Sequence, residues 1–212
     1  MSHFPGLPYL PCLNLVLMES VLSFLHSVYP LDADLRTYLS SVIKTSRLPK
    51  NAILVREGSI CRTIGFIEKG IVRGYRTKDN GAETTSFFMQ EGDLFISIRS
   101  FLTQSPAMDT IKTMEPCIIH TITYDQYRHA HRTYRGFDAL RGDLLEKYYL
   151  LSEERDEMRQ QEDTYIRFCF LKEHYPGLFK RVSDKHLASF IKTTPEYFST
   201  IQDKYRRLNG PK

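Results

Sequence analysis

The spacing of apolar residues changes twice along this chain of 212 residues. Residues 18–46 carry apolar side chains three and four positions apart, with a break at Pro30, which predicts two short helices. From Pro49 to residue 123 the period becomes two, in strand-length runs rich in Ile, Val, Phe and Thr. Asn80-Gly81 is the strongest hairpin signal. So many short strands predict a small antiparallel barrel or roll.

The helical period returns near Tyr124 and continues as an apolar stripe with a seven-residue repeat. The stripe predicts one long helix over residues 136–160. It forms either the seam of a homodimer or the face of a helix packed on its own domain, and its length favours self-association. The predicted dimer interface comprises Phe137, Leu140, Leu144, Tyr148, Leu151 and Met158.

The stretch from Val182 to Arg207 predicts two short helices joined by a tight turn. Ser183 is placed to cap the first helix and Thr194 the second, with Pro195 at a first helical position. The expected inward-facing residues are Leu187, Ala188 and Ile191 on the first helix and Phe198, Ile201 and Tyr205 on the second. This pattern is typical of a helix-turn-helix, in which small Ala188 lets the helices cross closely. The alternative is an ordinary packed helical hairpin.

The distribution of charge along the chain indicates a class of partner. The formal net charge is +4, and the ten basic and six acidic residues from position 160 onward account for all of it. A basic end on a neutral body favours a module that faces nucleic acid. The four cysteines and seven histidines are scattered, so we expect no metal or cofactor, and reduced thiols in the cytoplasm. No apolar run is long enough for a membrane span.

Residues 1–17 are rich in Pro and lack the basic start and cleavage site of a signal peptide. They are expected to be either an upstream extension of the reading frame or a disordered arm. The predicted organisation is then a leader at 1–17, a β-roll at 18–135, the long helix at 136–160 and the helix-turn-helix at 161–212.

This order of elements resembles the Crp/Fnr family of bacterial transcription regulators over residues 18–207. The resemblance lies in LPKNAILVREGS at 48–59, FIEKGIVRGY at 66–75, EGD at 91–93 and the terminal motif. It implies an α+β fold with an N-terminal, cyclic-nucleotide-binding-like β-roll, a dimerising helix and a C-terminal helix-turn-helix domain that an effector reorients. The few residues after Arg206 are too short for the family's β-hairpin wing, so the wing is expected to be truncated or missing.

The resemblance also places an effector pocket at Gly92, Asp93, Ser97, Arg99 and Ser100. In members that respond to cyclic AMP, a Glu holds the ribose and an Arg-Ser pair holds the phosphate. Here the Glu position falls on Ser97 and the Arg-Ser positions on Ala107 and Met108, so cyclic AMP is not the expected effector. Arg99 serves a different anion or is a surface residue, and the pocket is empty or takes an unknown ligand.

On the DNA side, Glu196 matches the family's acidic base reader, while the two flanking Arg positions fall on Pro195 and Thr200. Lys192 stands where many helix-turn-helix turns have Gly, so that turn needs another backbone solution. The predicted DNA-binding residues are Ser183, Lys185, Lys192, Thr194, Glu196, Tyr197, Ser199, Thr200, Lys204 and Arg206.

The main hypothesis is therefore a homodimeric, DNA-binding transcription regulator of the Crp/Fnr type that does not respond to cyclic AMP and has no catalytic activity. The alternative is a small-ligand sensor that acts through protein contacts, with a degenerate DNA domain. The expected partners are double-stranded DNA and a second copy of the chain, with RNA polymerase and an unidentified small-molecule effector as further candidates and no membrane.

Overall fold

The computed structural model describes residues 10–209, with side chains from residue 18 onward. Within that range the helices are α1 (Leu10–Val28), α2 (Ala33–Val42), α3 (Ile98–Thr103), α4 (Tyr124–Thr133), α5 (Arg135–Gln160), α6 (Thr164–His174), α7 (Asp184–Phe190) and α8 (Pro195–Asn209), with a 3₁₀ helix at Pro176–Lys180. The strands are β1 (Lys44–Leu48), β2 (Ile53–Val55), β3 (Thr63–Lys69), β4 (Val72–Thr77), β5 (Glu83–Met89), β6 (Leu94–Phe95), β7 (Thr110–Thr113) and β8 (Cys117–Thr123).

The strands form two antiparallel four-stranded sheets, in the orders β1-β8-β3-β6 and β2-β7-β4-β5. The hairpin between β4 and β5 turns at Asn80-Gly81, where Gly81 has a φ of 78°, as the sequence predicted. The α+β class and the β-roll are confirmed. Strand β1 was not predicted, because its sequence KTSRL has no alternation of apolar residues.

The first hydrophobic core fills the roll and extends to α1, α2 and the N-terminal half of α5. Phe137 and Leu140 are buried in this core, and Leu144 and Tyr148 pack against it. Met158 is buried in a second core. The predicted helix is therefore present, but most of its predicted dimer stripe is occupied inside its own subunit. The reason is that α5 lies against the roll, which takes the same apolar face that a partner helix needs.

The second core joins the C-terminal helices to the roll. Its roll members are Ile71, Phe88 and Met114, and the Phe88 ring packs edge-on against Phe190 of α7 with centroids 5.5 Å apart. The other buried members come from α5 to α8 and the 3₁₀ helix. The helix-turn-helix therefore shares a hydrophobic core with the sensor-like domain, and no flexible linker separates the two.

Two expectations concern the ends of the chain. Residues 10–17 lie in α1, so this part of the predicted leader is helical, while residues 1–9 lie outside the described range. At the other end α8 continues to Asn209, the last described residue, so the prediction about a wing lies outside the described residues. No helix in this range is long and apolar enough to cross a membrane.

Candidate functional site: the helix-turn-helix docked on the roll

The α7–turn–α8 unit has the packing that the sequence predicted. Leu187, Ala188 and Ile191 are fully buried, as is Phe198, and Ile201 is 2% exposed. The Thr194 hydroxyl caps α8 by accepting from the Tyr197 N–H at 3.2 Å. Ser183 occupies the N-cap position of α7, but its side chain makes no capping hydrogen bond, which is a correction to the expected cap.

The turn between the two helices contains Lys192 in a left-handed conformation, with a φ of 55°. Its backbone N–H donates to the Ser189 carbonyl at 3.3 Å, and the Thr193 N–H donates to the Ala188 carbonyl at 2.9 Å. The turn thus adopts the backbone that glycine favours, at the steric cost of a Cβ atom. The expectation that lysine forces a different backbone here was therefore wrong, because Lys192 takes the conformation that glycine usually supplies.

All ten predicted DNA-binding residues lie on one continuous part of the chain, from the start of α7 to the end of α8. Each has an exposed side chain, and the Tyr197 side chain is 52% exposed. The structure brings Thr194, Glu196, Tyr197, Ser199, Thr200, Lys204 and Arg206 together on α8 and its cap, whereas Ser183 and Lys185 lie on α7 and Lys192 in the turn.

Several of these side chains already have contacts within the chain. The pKa of Glu196 is lowered because its carboxylate accepts from its own backbone N–H and from the Thr194 hydroxyl. The Thr200 hydroxyl donates to the Glu196 carbonyl at 3.2 Å, the Lys204 ammonium lies 4.5 Å from the Tyr165 ring centroid, and Arg206 pairs with Asp203 at 2.9 Å. These exposed contacts are weak enough for a phosphate or a base edge to replace.

Helix α7 docks against β5, which is the edge strand of its sheet. The Ser189 hydroxyl accepts from the Thr85 N–H at 2.9 Å and donates to the Glu83 carbonyl at 3.2 Å. The Thr85 hydroxyl donates to the His186 carbonyl at 3.3 Å. An edge strand has backbone N–H and C=O groups that no neighbouring strand pairs. Here the Ser189 hydroxyl takes the place of a neighbouring strand by bonding one N–H and one C=O of β5.

A buried arginine lies under this contact. Arg73 of β4 is fully buried, its Nε donates to the Thr85 hydroxyl at 2.9 Å, and its guanidinium pairs with Glu83. The neighbouring His186 has a pKa lowered to about 4, because burial and the Arg73 cation both disfavour the imidazolium. Lys112 and Lys185 act in the same direction, and Glu83 opposes them. His186 is therefore neutral wherever α7 is docked at neutral pH.

A second contact between the helix-turn-helix and the roll is an arginine with two carboxylates. Arg181 pairs with Glu91 of the β5–β6 turn through both terminal nitrogens, at 2.9 and 2.5 Å, and with Glu115 of the β7–β8 turn. The hydrogen bonds from Arg181 are the main reason that the pKa of Glu91 falls to about 2. Glu91 also accepts from the Gly70 N–H at 2.7 Å, which fixes its carboxylate.

Arg167 of α6 also makes its contacts inside the fold. It is buried, its Nε donates to the Ile191 carbonyl at 2.8 Å, and its terminal nitrogens donate to the Thr164 hydroxyl at 2.8 Å and the Glu162 carbonyl at 3.1 Å. A further bond reaches the Gln161 carbonyl. Arg167 and Arg181 thus stabilise the fold, and the basic excess of the C-terminal segment overstates the positive charge that is free at the surface. Nothing in the sequence indicated these roles, because the bond from Arg167 to Ile191 and the pairs of Arg181 with Glu91 and Glu115 connect residues far apart in the chain.

The predicted effector pocket corresponds in part to an open cleft of about 880 Å³ between the roll, α3 and α5. Ser97, Arg99 and Ser100 line it. The Ser100 hydroxyl is already used, because it accepts from the Cys61 N–H at 2.9 Å and donates to the Ser105 carbonyl. Gly92 and Asp93 lie outside the cleft, where Gly92 has a φ of 85° and the Asp93 carboxylate accepts from the Gln90 N–H at 3.0 Å. These two predicted pocket residues form the β5–β6 turn and do not line this cleft.

The side chains at the two positions expected to hold a cyclic phosphate are apolar here. Met108 lines the cleft and is 48% exposed. Ala107 is buried, and its backbone bonds to Gly58 and Ser59 at 2.8 Å. Neither residue offers a donor side chain, so a phosphate group at this point loses its hydration without gaining a charged partner.

Two antiparallel sheets, a long helix packed against them and a terminal pair of helices joined by a tight turn define the architecture of this chain within the described residues. Residues 45–134 match the family model of the cyclic nucleotide-binding domain. Residues 45–134 therefore form a cyclic-nucleotide-binding-like domain, which confirms this part of the resemblance. A search of curated protein sequences gave no match.

Solved structures extend this similarity over both domains. The c-di-GMP-responsive global regulator CLP from Xanthomonas campestris superposes with a TM-score of 0.64 at 17% identity, covering 84% of this chain and 93% of CLP. A protein of Eubacterium rectale assigned to the Crp/Fnr family of transcriptional regulators gives 0.67 at 14% identity, covering 86% and 88%. FixK2 from Bradyrhizobium japonicum gives 0.61 at 13% identity, covering 79% and 86%. At these identities the similarity establishes the fold.

Proposed function

We propose that this protein is a homodimeric, sequence-specific DNA-binding transcription regulator that does not respond to cyclic AMP. The observation that carries the proposal is the exposed outer face of α8. It presents Glu196, Tyr197, Ser199, Thr200 and Lys204 to solvent, while the opposite face of the same helix is buried. A carboxylate near DNA is tolerable only where it accepts from a base amino group, which gives Glu196 the role of base reader.

The proposed dimer uses α5, but through a different face from the predicted stripe. Tyr149 is 63% exposed and Leu150 is 54% exposed on an otherwise charged part of this helix. Two adjacent large apolar side chains in solvent are a good candidate for the centre of a helix–helix contact. Two copies related by a two-fold axis would present two copies of α8 to a palindromic site.

The experiment for DNA binding is a selection of bound sequences from random DNA, followed by titrations of the selected operator and a scrambled control across a salt series. Glu196→Ala should lower the preference for the operator at one base pair of each half-site by roughly ten- to hundredfold, while binding to scrambled DNA holds or rises. Lys204→Ala is the matched control for a phosphate contact. It should weaken both DNAs alike and flatten the slope of log affinity against log salt by about 0.9 per lost contact.

Equal losses on both DNAs in the Glu196 variant contradict base reading and leave the carboxylate as a capping group of α8, a role its bond with Thr194 already suggests. Cyclic AMP supplies a separate check. Calorimetry should detect no binding, because Ser97, Ala107 and Met108 replace the groups that hold ribose and phosphate. Micromolar binding would overturn that part of the proposal.

The second candidate is a ligand sensor that acts through protein contacts. Pro195 and Thr200, which stand where the resemblance expects two base-reading arginines, favour it because neither can form the bidentate pair with guanine. The same selection distinguishes the two. Recovery of no enriched sequence, at low and at moderate salt, supports the sensor.

A further inference from the structure

The open cleft between the roll and α5 has a chemistry of its own. Its walls are mostly aliphatic and aromatic side chains from both sheets, including Phe87, Met89, Ile96 and Ile111. Its volume of about 880 Å³ lies in the range of small-molecule sites in proteins. Exposed Ile98, Leu102 and Met108 continue the apolar surface at its rim. The body of a ligand that fits here is therefore apolar.

The cleft contains positive charges that are not fully paired with carboxylates. Of its four arginines, Arg76 is paired with Asp109 at 3.2 Å. Arg155 is hydrogen-bonded to Tyr175 and interacts with Asp93. Arg99 has no ion pair with any residue in the range 18–209.

Arg141 is the fourth cleft arginine, and its pairing is loose. Its Nε lies 3.7 Å from the Asp138 carboxylate, and that carboxylate is also bonded to His131. Besides Asp109, Glu146 is the acidic side chain on the cleft wall, and it is exposed. The cleft therefore contains two weakly paired cations, Arg99 and Arg141, and one solvated carboxylate, Glu146. The excess of one positive charge matches a ligand with a single negative charge.

Arg141 also holds an unmet hydrogen-bond donor. Its Nε is buried and has no hydrogen-bond partner among the described side chains. The residue interacts with Tyr127, whose ring packs edge-on with Phe101 and Phe137 at centroid distances of 5.1 and 5.4 Å. An aromatic group beside a guanidinium with a free donor is a favourable site for the acidic end of an apolar molecule.

We propose that the cleft binds a small, largely apolar organic acid with one negative charge, whose acidic group pairs with Arg141 and is assisted by Arg99. This inference deepens the proposed function by assigning an effector class to the same protein. It does not require DNA binding, so a result that contradicts one of the two proposals leaves the other standing.

The test uses two fluorescent probes that share an anilinonaphthalene body and differ by a sulfonate. Anilinonaphthalene sulfonate carries the charge, and N-phenylnaphthylamine is its neutral counterpart. Titration of the full chain with each should give saturable binding, with the anion bound about five- to tenfold more tightly. Arg141→Gln should remove that advantage without weakening the neutral probe, and Arg99→Gln should reduce it in part. Cyclic AMP should displace neither probe.

Two further variants locate the binding and control for nonspecific effects. Met108→Trp narrows the mouth of the cleft at an exposed position and should weaken both probes. Arg132→Gln removes an exposed arginine of α4 outside the cleft and should change neither. Equal affinity for the two probes overturns the assignment of an acid, and so does a loss in Arg141→Gln that affects both equally. If neither probe binds, the proposal is wrong, and a dimer in ultracentrifugation then indicates that a second copy covers the cleft.

Discussion

Ser189→Ala is the substitution that most directly tests whether the helix-turn-helix is docked on the roll. The hydroxyl joins α7 to the edge of β5 by one accepted and one donated hydrogen bond, to Thr85 and Glu83. Thr85 is only 2% exposed, so in the variant its N–H has no solvent to replace the lost acceptor. Glu83 is partly exposed, and water can reach its carbonyl more easily.

The magnitude follows from these two environments. A buried N–H that loses its partner costs about 1–3 kcal/mol, and the longer, partly hydrated bond to Glu83 adds about 1 kcal/mol. We therefore expect the free energy of unfolding to fall by about 2–4 kcal/mol. For a chain of this size that corresponds to a Tm lower by roughly 5–12 °C.

The assay is urea denaturation followed by circular dichroism, with Ser199→Ala as the control. Both serines lie in helices, so both variants gain the same helix propensity, but Ser199 is exposed on α8 and should change stability by less than about 0.5 kcal/mol. Hydrogen exchange provides a local measurement, in which the Thr85 amide should exchange faster in the Ser189 variant only. If the two variants have the same midpoint and the Thr85 amide stays protected, α7 is not held on β5 through this serine.

Three further predictions concern His186 at this interface, Lys192 in the turn and Tyr149 on α5. Stability should fall as the pH is lowered from 6.5 to 4, because the unfolded chain binds a proton on His186 that the folded chain, with a pKa of about 4, does not. In His186→Gln this part of the pH dependence, at most about 3 kcal/mol and reduced by solvent screening of the partly exposed ring, should be absent from denaturation curves. Lys192→Gly should raise the free energy of unfolding by about 0.5–1 kcal/mol, since glycine adopts the left-handed turn without strain, and an unchanged or lower midpoint contradicts that account. Tyr149→Asp should produce monomers in sedimentation velocity runs at concentrations where the parent chain is dimeric, whereas a variant that stays dimeric places the seam elsewhere.

The sequence predicted the elements whose signals are local. The hairpin at Asn80-Gly81 and the Thr194-Pro195 start of α8 are examples, since turn chemistry and capping depend on neighbouring residues. The partner of an apolar face cannot be predicted in this way. The stripe of α5 has the same period whether it meets a second copy or its own roll, and only the three-dimensional structure showed that Phe137 is buried in the subunit.

The site was predictable to a similar degree. The exposed face of α8 follows from its buried face, because helical geometry relates the two. The contacts of Arg181 with Glu91 and of Ser189 with Thr85 connect residues about a hundred positions apart. A single sequence contains no signal for such pairs, and EGD at 91–93 suggested a ligand rather than an interdomain ion pair.

The four bonds of Arg167 have a mechanical consequence. One rigid, planar guanidinium ties the carbonyls that follow the last turn of α5 to the Ile191 carbonyl, immediately before the turn into α8. A rotation of α5 is therefore expected to be transmitted to the start of α8 through a single side chain. The cleft is lined by residues of α5, Tyr149 among them, so a ligand or a second copy that contacts this helix would act on the same connection. A lysine at this position, with a single ammonium group, cannot form the same set of hydrogen bonds.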